Sequence, residues 1–65
     1  MQVLLRNPRR ELELRGPMRV HALLERLDVN RESVLVIRGD TIVPGDALLE
    51  DADRVEIRPV ISGGM

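Results

Sequence analysis

Val20-His21-Ala22-Leu23-Leu24-Glu25-Arg26-Leu27 is where the chain changes its hydrophobic period. Val20, Leu23, Leu24 and Leu27 recur at i, i+3, i+4 and i+7, which makes one apolar stripe on a helix. Arg19, Ala22, Glu25 and Arg26 lie largely off that stripe. Just upstream the period is 2: Glu11-Leu12-Glu13-Leu14-Arg15 puts both leucines on one face and the charges on the other, the pattern of a half-buried antiparallel strand. The spacing predicts a helix from about Arg19 to Leu27, set off by Gly16-Pro17 and just long enough to cover a small sheet.

Working outward toward the N-terminus, Gln2 to Asn7 reads as a strand rich in Val and Leu that Pro8 stops. Asn7-Pro8-Arg9-Arg10 has turn chemistry, so the two strands predict a hairpin. On the other side, Asp28-Val29-Asn30 ends the helix, and Asn30 or Ser33 is placed to cap a short turn. Val34-Leu35-Val36-Ile37-Arg38 is a continuous apolar run suited to a central strand. Gly39-Asp40 turns into a short Thr41-Ile42-Val43 strand closed by Pro44-Gly45, and Asp46-Ala47-Leu48-Leu49 predicts one helical turn capped by Asp46. After the polar Asp51-Ala52-Asp53 turn, Arg54 to Pro59 alternates with Val55 and Ile57 inward.

The order is hairpin, helix, central strand, short strand, last strand. It gives an α+β layer: a mixed four- to five-stranded sheet with one main helix on one face. This is the order of a ubiquitin-like β-grasp domain, and closing it by parallel pairing of the first and last strands is a fold-level analogy. The expected core is Leu12, Leu14, Val20, Leu23, Leu24, Leu27, Val36, Val55 and Ile57. If Val36 points inward, Leu4, Leu35, Ile37 and Val60 share the face away from the helix and form a candidate partner-binding patch.

The 65 residues allow one domain, 1–65, with a flexible tail from about residue 61. Hydrophobic residues are 43% of the chain but none is Phe, Trp or Tyr, so the core is built from aliphatic side chains and Met. Ten arginines against eleven acidic residues leave a net charge of -1, which argues against a general polyanion partner. Without cysteine there is no disulfide, thiolate metal site or thiol nucleophile, and without lysine no Schiff base and no side-chain acceptor for an isopeptide bond. The apolar runs are too short to span a membrane, and the first residues lack a signal-peptide layout. A cytoplasmic protein is expected.

This inventory does not make an enzyme. His21 is the single histidine and reads as a surface residue of the helix, with no nucleophile or second metal ligand near it in sequence. Glu50-Asp51-Asp53 lacks the ligand spacing of a calcium loop and reads as a solvated turn. Arg6, Arg9 and Arg10 make the hairpin end basic. That end is either a solvated turn or a docking patch for an acidic partner or an RNA backbone, and the absence of aromatics for base stacking counts against the RNA version.

The remaining feature is the ending, Val60-Ile61-Ser62-Gly63-Gly64-Met65. Two glycines without Cβ atoms can thread a channel too narrow for side chains. The ordered set formed by the Gln2–Asn7 strand, Leu23-Leu24, Asp53-Arg54-Val55 and Ile61-Ser62-Gly63-Gly64 resembles the ThiS and MoaD group of ubiquitin-like sulfur carriers. Within that group it looks most like the carriers for thiamine thiazole and for tRNA 2-thiouridine synthesis. The resemblance implies a carrier and not an enzyme, binding no cofactor itself. An E1-like adenylating partner would use ATP to activate the Gly64 carboxylate, and a persulfide sulfur would displace AMP to leave a thiocarboxylate. Ser62, Gly63 and Gly64 would form the arm that enters a sulfur-accepting enzyme such as thiazole synthase, the molybdopterin synthase large subunit or a tRNA thiolase.

Met65 departs from the pattern, because it ties the Gly64 carbonyl into a peptide bond. The resemblance therefore implies prior removal of Met65, for which a processing metalloprotease is the expected partner. Two other readings stay open: a protein modifier joined through Gly64 to substrate lysines, and a non-covalent β-grasp interaction module.

Overall fold

A computed structural model describes residues 1–6 and 9–60. The predicted helix is present as α1 (Val20–Arg26), one residue shorter at each end than its pattern. A helix of this length is marginal by itself, so packing of its apolar stripe must hold it. Val20, Leu23 and Leu24 are buried, and Leu27 packs half-buried against them.

Both helix ends are satisfied by backbone. At the start, Arg19 offers no side-chain cap. Instead the Val20 N–H donates to Ala47 O at 2.9 Å and the His21 N–H to Gly45 O at 2.8 Å, which removes two of the orphan donors of the first turn. At the other end Asp28 adopts a positive φ of 58°. Its N–H reaches Glu25 O at 3.1 Å and the Val29 N–H reaches Leu24 O at 2.9 Å. This pair of bonds closes a helix through a left-handed residue, and it turns Val29 back onto the core.

The sheet has β1 (Gln2–Leu5) and β2 (Arg10–Glu13) as an antiparallel hairpin, then β4 (Val34–Arg38), β5 (Thr41–Ile42) and β7 (Arg54–Pro59). Their spatial order is β2-β1-β7-β4-β5. β1 and β7 pair in parallel with Val3 opposite Val55 and Leu5 opposite Ile57, while β4 pairs antiparallel to β7 with Val36 opposite Ile57. The first and last strands thus lie side by side at the centre of a mixed sheet with the helix on one face: an α+β, ubiquitin-like β-grasp.

Strand boundaries differ modestly from the sequence pattern. β1 ends at Leu5, with Arg6 already in a turn, and Asn7 and Pro8 lie outside the described residues. β2 stops at Glu13, yet the Leu14 N–H still bonds Met1 O at 2.9 Å, so pairing outlasts the regular strand.

The larger correction concerns Asp46–Leu49. No helical turn forms there. Residues 44–47 make a turn with the Ala47 N–H on Pro44 O at 3.1 Å, and Leu48–Leu49 form β6, which pairs antiparallel with β3 (Met18–Arg19). The carbonyls of Gly45 and Ala47 are committed to the start of α1, and the Asp46 carbonyl accepts from Arg19 Nη1 at 3.0 Å instead of opening a helix. Extended backbone at 48–49 also drives Leu49 fully into the core.

That core comprises Met1, Val3, Val20, Leu23, Leu24, Val36, Val43, Leu49, Val55 and Ile57. Leu12 and Leu14, expected inside, sit half-buried at its margin because β2 is the sheet edge. Met1, Val3, Val43 and Leu49 are core members the pattern did not single out.

Candidate functional site

Side chains alternate across a sheet, so the inward Val3, Val36, Val55 and Ile57 leave their neighbours on the outer face. The register then lines up one row across the sheet: Glu11, Leu4, Glu56, Ile37, Ile42. Leu35 lies on the same face opposite Arg58. Leu4 and Ile37 are half-buried, whereas Leu35 and Val60 are exposed. Among the described residues Ile42 is the most open of the large apolar side chains, at 60% exposure.

Glu56 stands in the middle of this row and is mostly covered. Arg6 Nε and Arg58 Nε both approach its Oε2, at 2.9 Å and 3.2 Å. Ion pairs this exposed contribute at most about 1 kcal/mol each. Their effect is local: they neutralise a carboxylate within an apolar row and hold two guanidinium groups at its flank. The outer face therefore presents Leu4, Leu35, Ile37 and Ile42 with fixed positive charge beside them.

Val60 follows β7 directly. Its N–H donates to Ser33 O at 2.8 Å, so the chain is held to the sheet up to this residue. Ser62, Gly63, Gly64 and Met65 lie outside the described residues. Sequence reasoning missed Ile42. The signal lay in Thr41-Ile42-Val43: once Val43 is inward, Ile42 must face out, opposite Ile37.

The two charged clusters resolve differently. Of the basic hairpin end, Arg6 is engaged by Glu56, and Arg9 Nη2 bonds Glu11 Oε2 at 3.1 Å. The acidic turn is a structural clasp as well as a solvated one. Asp51 Oδ1 accepts the Gly16 N–H at 2.9 Å and lies 3.6 Å from the Met1 ammonium, while Asp53 Oδ2 accepts the Glu50 N–H at 2.7 Å. The Gly16 N–H, and then the ammonium, hold the Asp51 carboxyl below its usual pKa. A Cβ on Gly16 would stand 3.0 Å from Asp51 N and 3.1 Å from Glu50 C, so a larger residue here would press these two segments apart by a few tenths of an ångström.

His21 is exposed on α1. Among the described residues no group of three or more His, Asp or Glu side chains could hold a metal ion, and no helix is long and apolar enough to cross a membrane.

The ThiS family model matches residues 3–64. The chain is 35% identical, over 65 residues, to the sulfur carrier protein TtuB of Thermus thermophilus, an alignment covering 98% of this chain and all of that protein.

Proposed function

The chain belongs to the ThiS family, and from that premise we propose that it is a sulfur carrier whose working end is the carboxyl group of Gly64. The observation that carries this reading is the extent of the match, which runs through the whole fold to Gly64 and stops before Met65. In a chain ending at Gly64, that carboxylate attacks the α-phosphate of ATP on an adenylating partner enzyme and releases pyrophosphate. A persulfide then displaces AMP, and thiol cleavage of the resulting S–S bond leaves the thiocarboxylate. With no cysteine in the chain, the C-terminal carbonyl is the position available for covalently held sulfur.

Leu4, Leu35, Ile37 and Val60, joined by Ile42, form the surface that docks on the activating enzyme. Val60 and Leu35 stand beside the point where the chain leaves the sheet, and Leu4, Ile37 and Ile42 continue the surface across the sheet at the level of Glu56. Several apolar side chains gathered on one face exceed the scattered background of a monomer surface. The Arg6 and Arg58 guanidinium groups beside them suit an acidic rim on that enzyme. The sulfur acceptor is an enzyme of cofactor synthesis or of tRNA thiolation.

The test compares the 65-residue chain with a form ending at Gly64, using the cognate activating enzyme and ATP–pyrophosphate exchange. Exchange with the Gly64 form alone is the expected result, followed, once a persulfide donor is added, by the mass increase of one oxygen replaced by sulfur. Equal exchange by both forms would show that Met65 need not be removed. Absence of exchange by both would overturn the carrier reading.

A further inference from the structure

We propose that the free edge of β2 is a strand-docking site for an extended basic segment of a partner protein, read as basic–apolar–basic against Glu11, Leu12 and Glu13. The inference concerns a second surface and does not rest on the carrier reading.

The hydrogen-bond phase of the hairpin exposes this edge. Met1 and Leu14 exchange both backbone bonds, the Leu14 N–H to Met1 O and the Met1 ammonium to Leu14 O. Bonded pairs recur at every second residue of an antiparallel ladder, so Val3–Leu12 and Leu5–Arg10 follow. Two bonds on the other side of β1 agree with this phase. Gln2 N–H donates to Asp53 O at 3.1 Å and Arg6 N–H to Ile57 O at 3.3 Å, so Gln2, Leu4 and Arg6, which alternate with Val3 and Leu5, serve β7. Glu11 and Glu13, opposite Leu4 and Gln2, therefore turn their N–H and C=O groups away from the sheet. β2 ends the strand order, and no described residue pairs with those groups.

The side chains on this edge select the occupant. Both outward-facing residues of the strand are glutamates. Among the described residues Glu13 has no ion pair, and Glu11 is met by the exposed Arg9. On the outer face the two carboxylates border an open trough of about 540 Å³ lined also by Gln2, Leu4, Arg54 and Glu56. Residues of an added strand that lie opposite Glu11 and Glu13 point to this same face and are two apart. Long basic side chains at those positions reach the carboxylates and the trough. The residue between them falls opposite Leu12, on the helix side, where that leucine is only half-buried.

Charged side chains on an edge ordinarily keep sheets from joining. Here the outward charges of β2 have one sign. Two copies pairing along the whole edge would set Glu11 of each against Glu13 of the other, a like-charge arrangement that disfavours a second copy. The same arrangement favours a strand of opposite sign.

The test uses the whole chain and a capped peptide, acetyl-TRVRVRT-amide, beside acetyl-TEVEVET-amide and a form of the first N-methylated on its arginine backbone nitrogens. The expected result is slowed hydrogen exchange at the Glu11 and Glu13 amides with the arginine peptide. The glutamate peptide should bind roughly tenfold more weakly or worse, as loss of two cross-strand charge pairs requires. N-methylation should abolish the protection. Replacing both glutamates, Glu11→Lys with Glu13→Lys, should reverse the preference between the peptides. Equal binding of the N-methylated form would mean charge attraction without strand pairing, and would overturn the proposal. So would protection centred on another strand, or concentration-dependent protection without peptide, which would identify a second copy as the occupant.

Discussion

The two faces of the sheet are written by alternate residues of the same strands, yet they follow different rules. On the inner face Val3, Val36, Val55 and Ile57 are buried, uncharged and β-branched. On the outer face Leu4, Ile37 and Ile42 share their row with Glu11 and Glu56, and Arg6 and Arg58 stand beside it. The inner set is determined by volume, because it must fill the space under one short helix. The outer set is only partly covered, and its mixed apolar and charged composition suits contact with another molecule. The core and the proposed docking surface are thus separated by a one-residue step along each strand.

The inner layer should be the most sensitive to truncation. Leu23 has no exposed surface, so Leu23→Ala should lose about 2–5 kcal/mol in urea unfolding, most of the stability of a domain this small. A loss under about 1 kcal/mol would show that the helix does not hold the layer together. Next comes the helix end that feeds that layer. Asp28 is left-handed, so Asp28→Val should cost about 1–2 kcal/mol, whereas Asp28→Gly should be neutral or stabilising by the same measurement.

A smaller effect is expected at the clasp. Asp51 has a lowered pKa in the fold, so its stabilisation is present above the ordinary value of 3.8 and is lost as pH falls through the folded-state value. Asp51→Asn should lower the urea midpoint at neutral pH and flatten its fall on acidification; an unchanged acid profile would show that the clasp contributes no stability. On the outer face stability should hardly change while docking does. Ile42→Asp on the outer face should change unfolding by less than about 0.5 kcal/mol while reducing pyrophosphate exchange by the Gly64 form. Unchanged exchange would remove Ile42 from the docking surface.

The parts of the fold legible in the sequence are those with a local cause. The stripe Val20, Leu23, Leu24, Leu27 and the run Val34–Arg38 each carry their own period or composition, and both appear where the pattern puts them. β3 and β6 were not legible. Two residues carry no period, and Leu48 and Leu49 are chemically alike, so only pairing with Met18–Arg19 decides which one is buried. The burial of Met1 likewise depends on contacts with residues far along the chain, among them Leu14 and Asp51. For the site, Leu4, Leu35 and Ile37 were placed on the outer face by alternation alone. Ile42 was not, since its strand is too short to show alternation without its partner.

The parallel pairing of β1 with β7 has a consequence for how the chain is made and cut. During synthesis the strand that occupies the middle of the sheet is made after the hairpin and β4, which wait without a shared neighbour until it emerges. The same geometry grades proteolysis. A cut beyond Val60 takes away none of the described pairings, while a cut inside residues 54–59 takes away the strand that joins β1 to β4. A cut that ran past Val60 into β7 would leave β1 and β4 without their shared neighbour, so the sheet itself limits how far the end can be cut back.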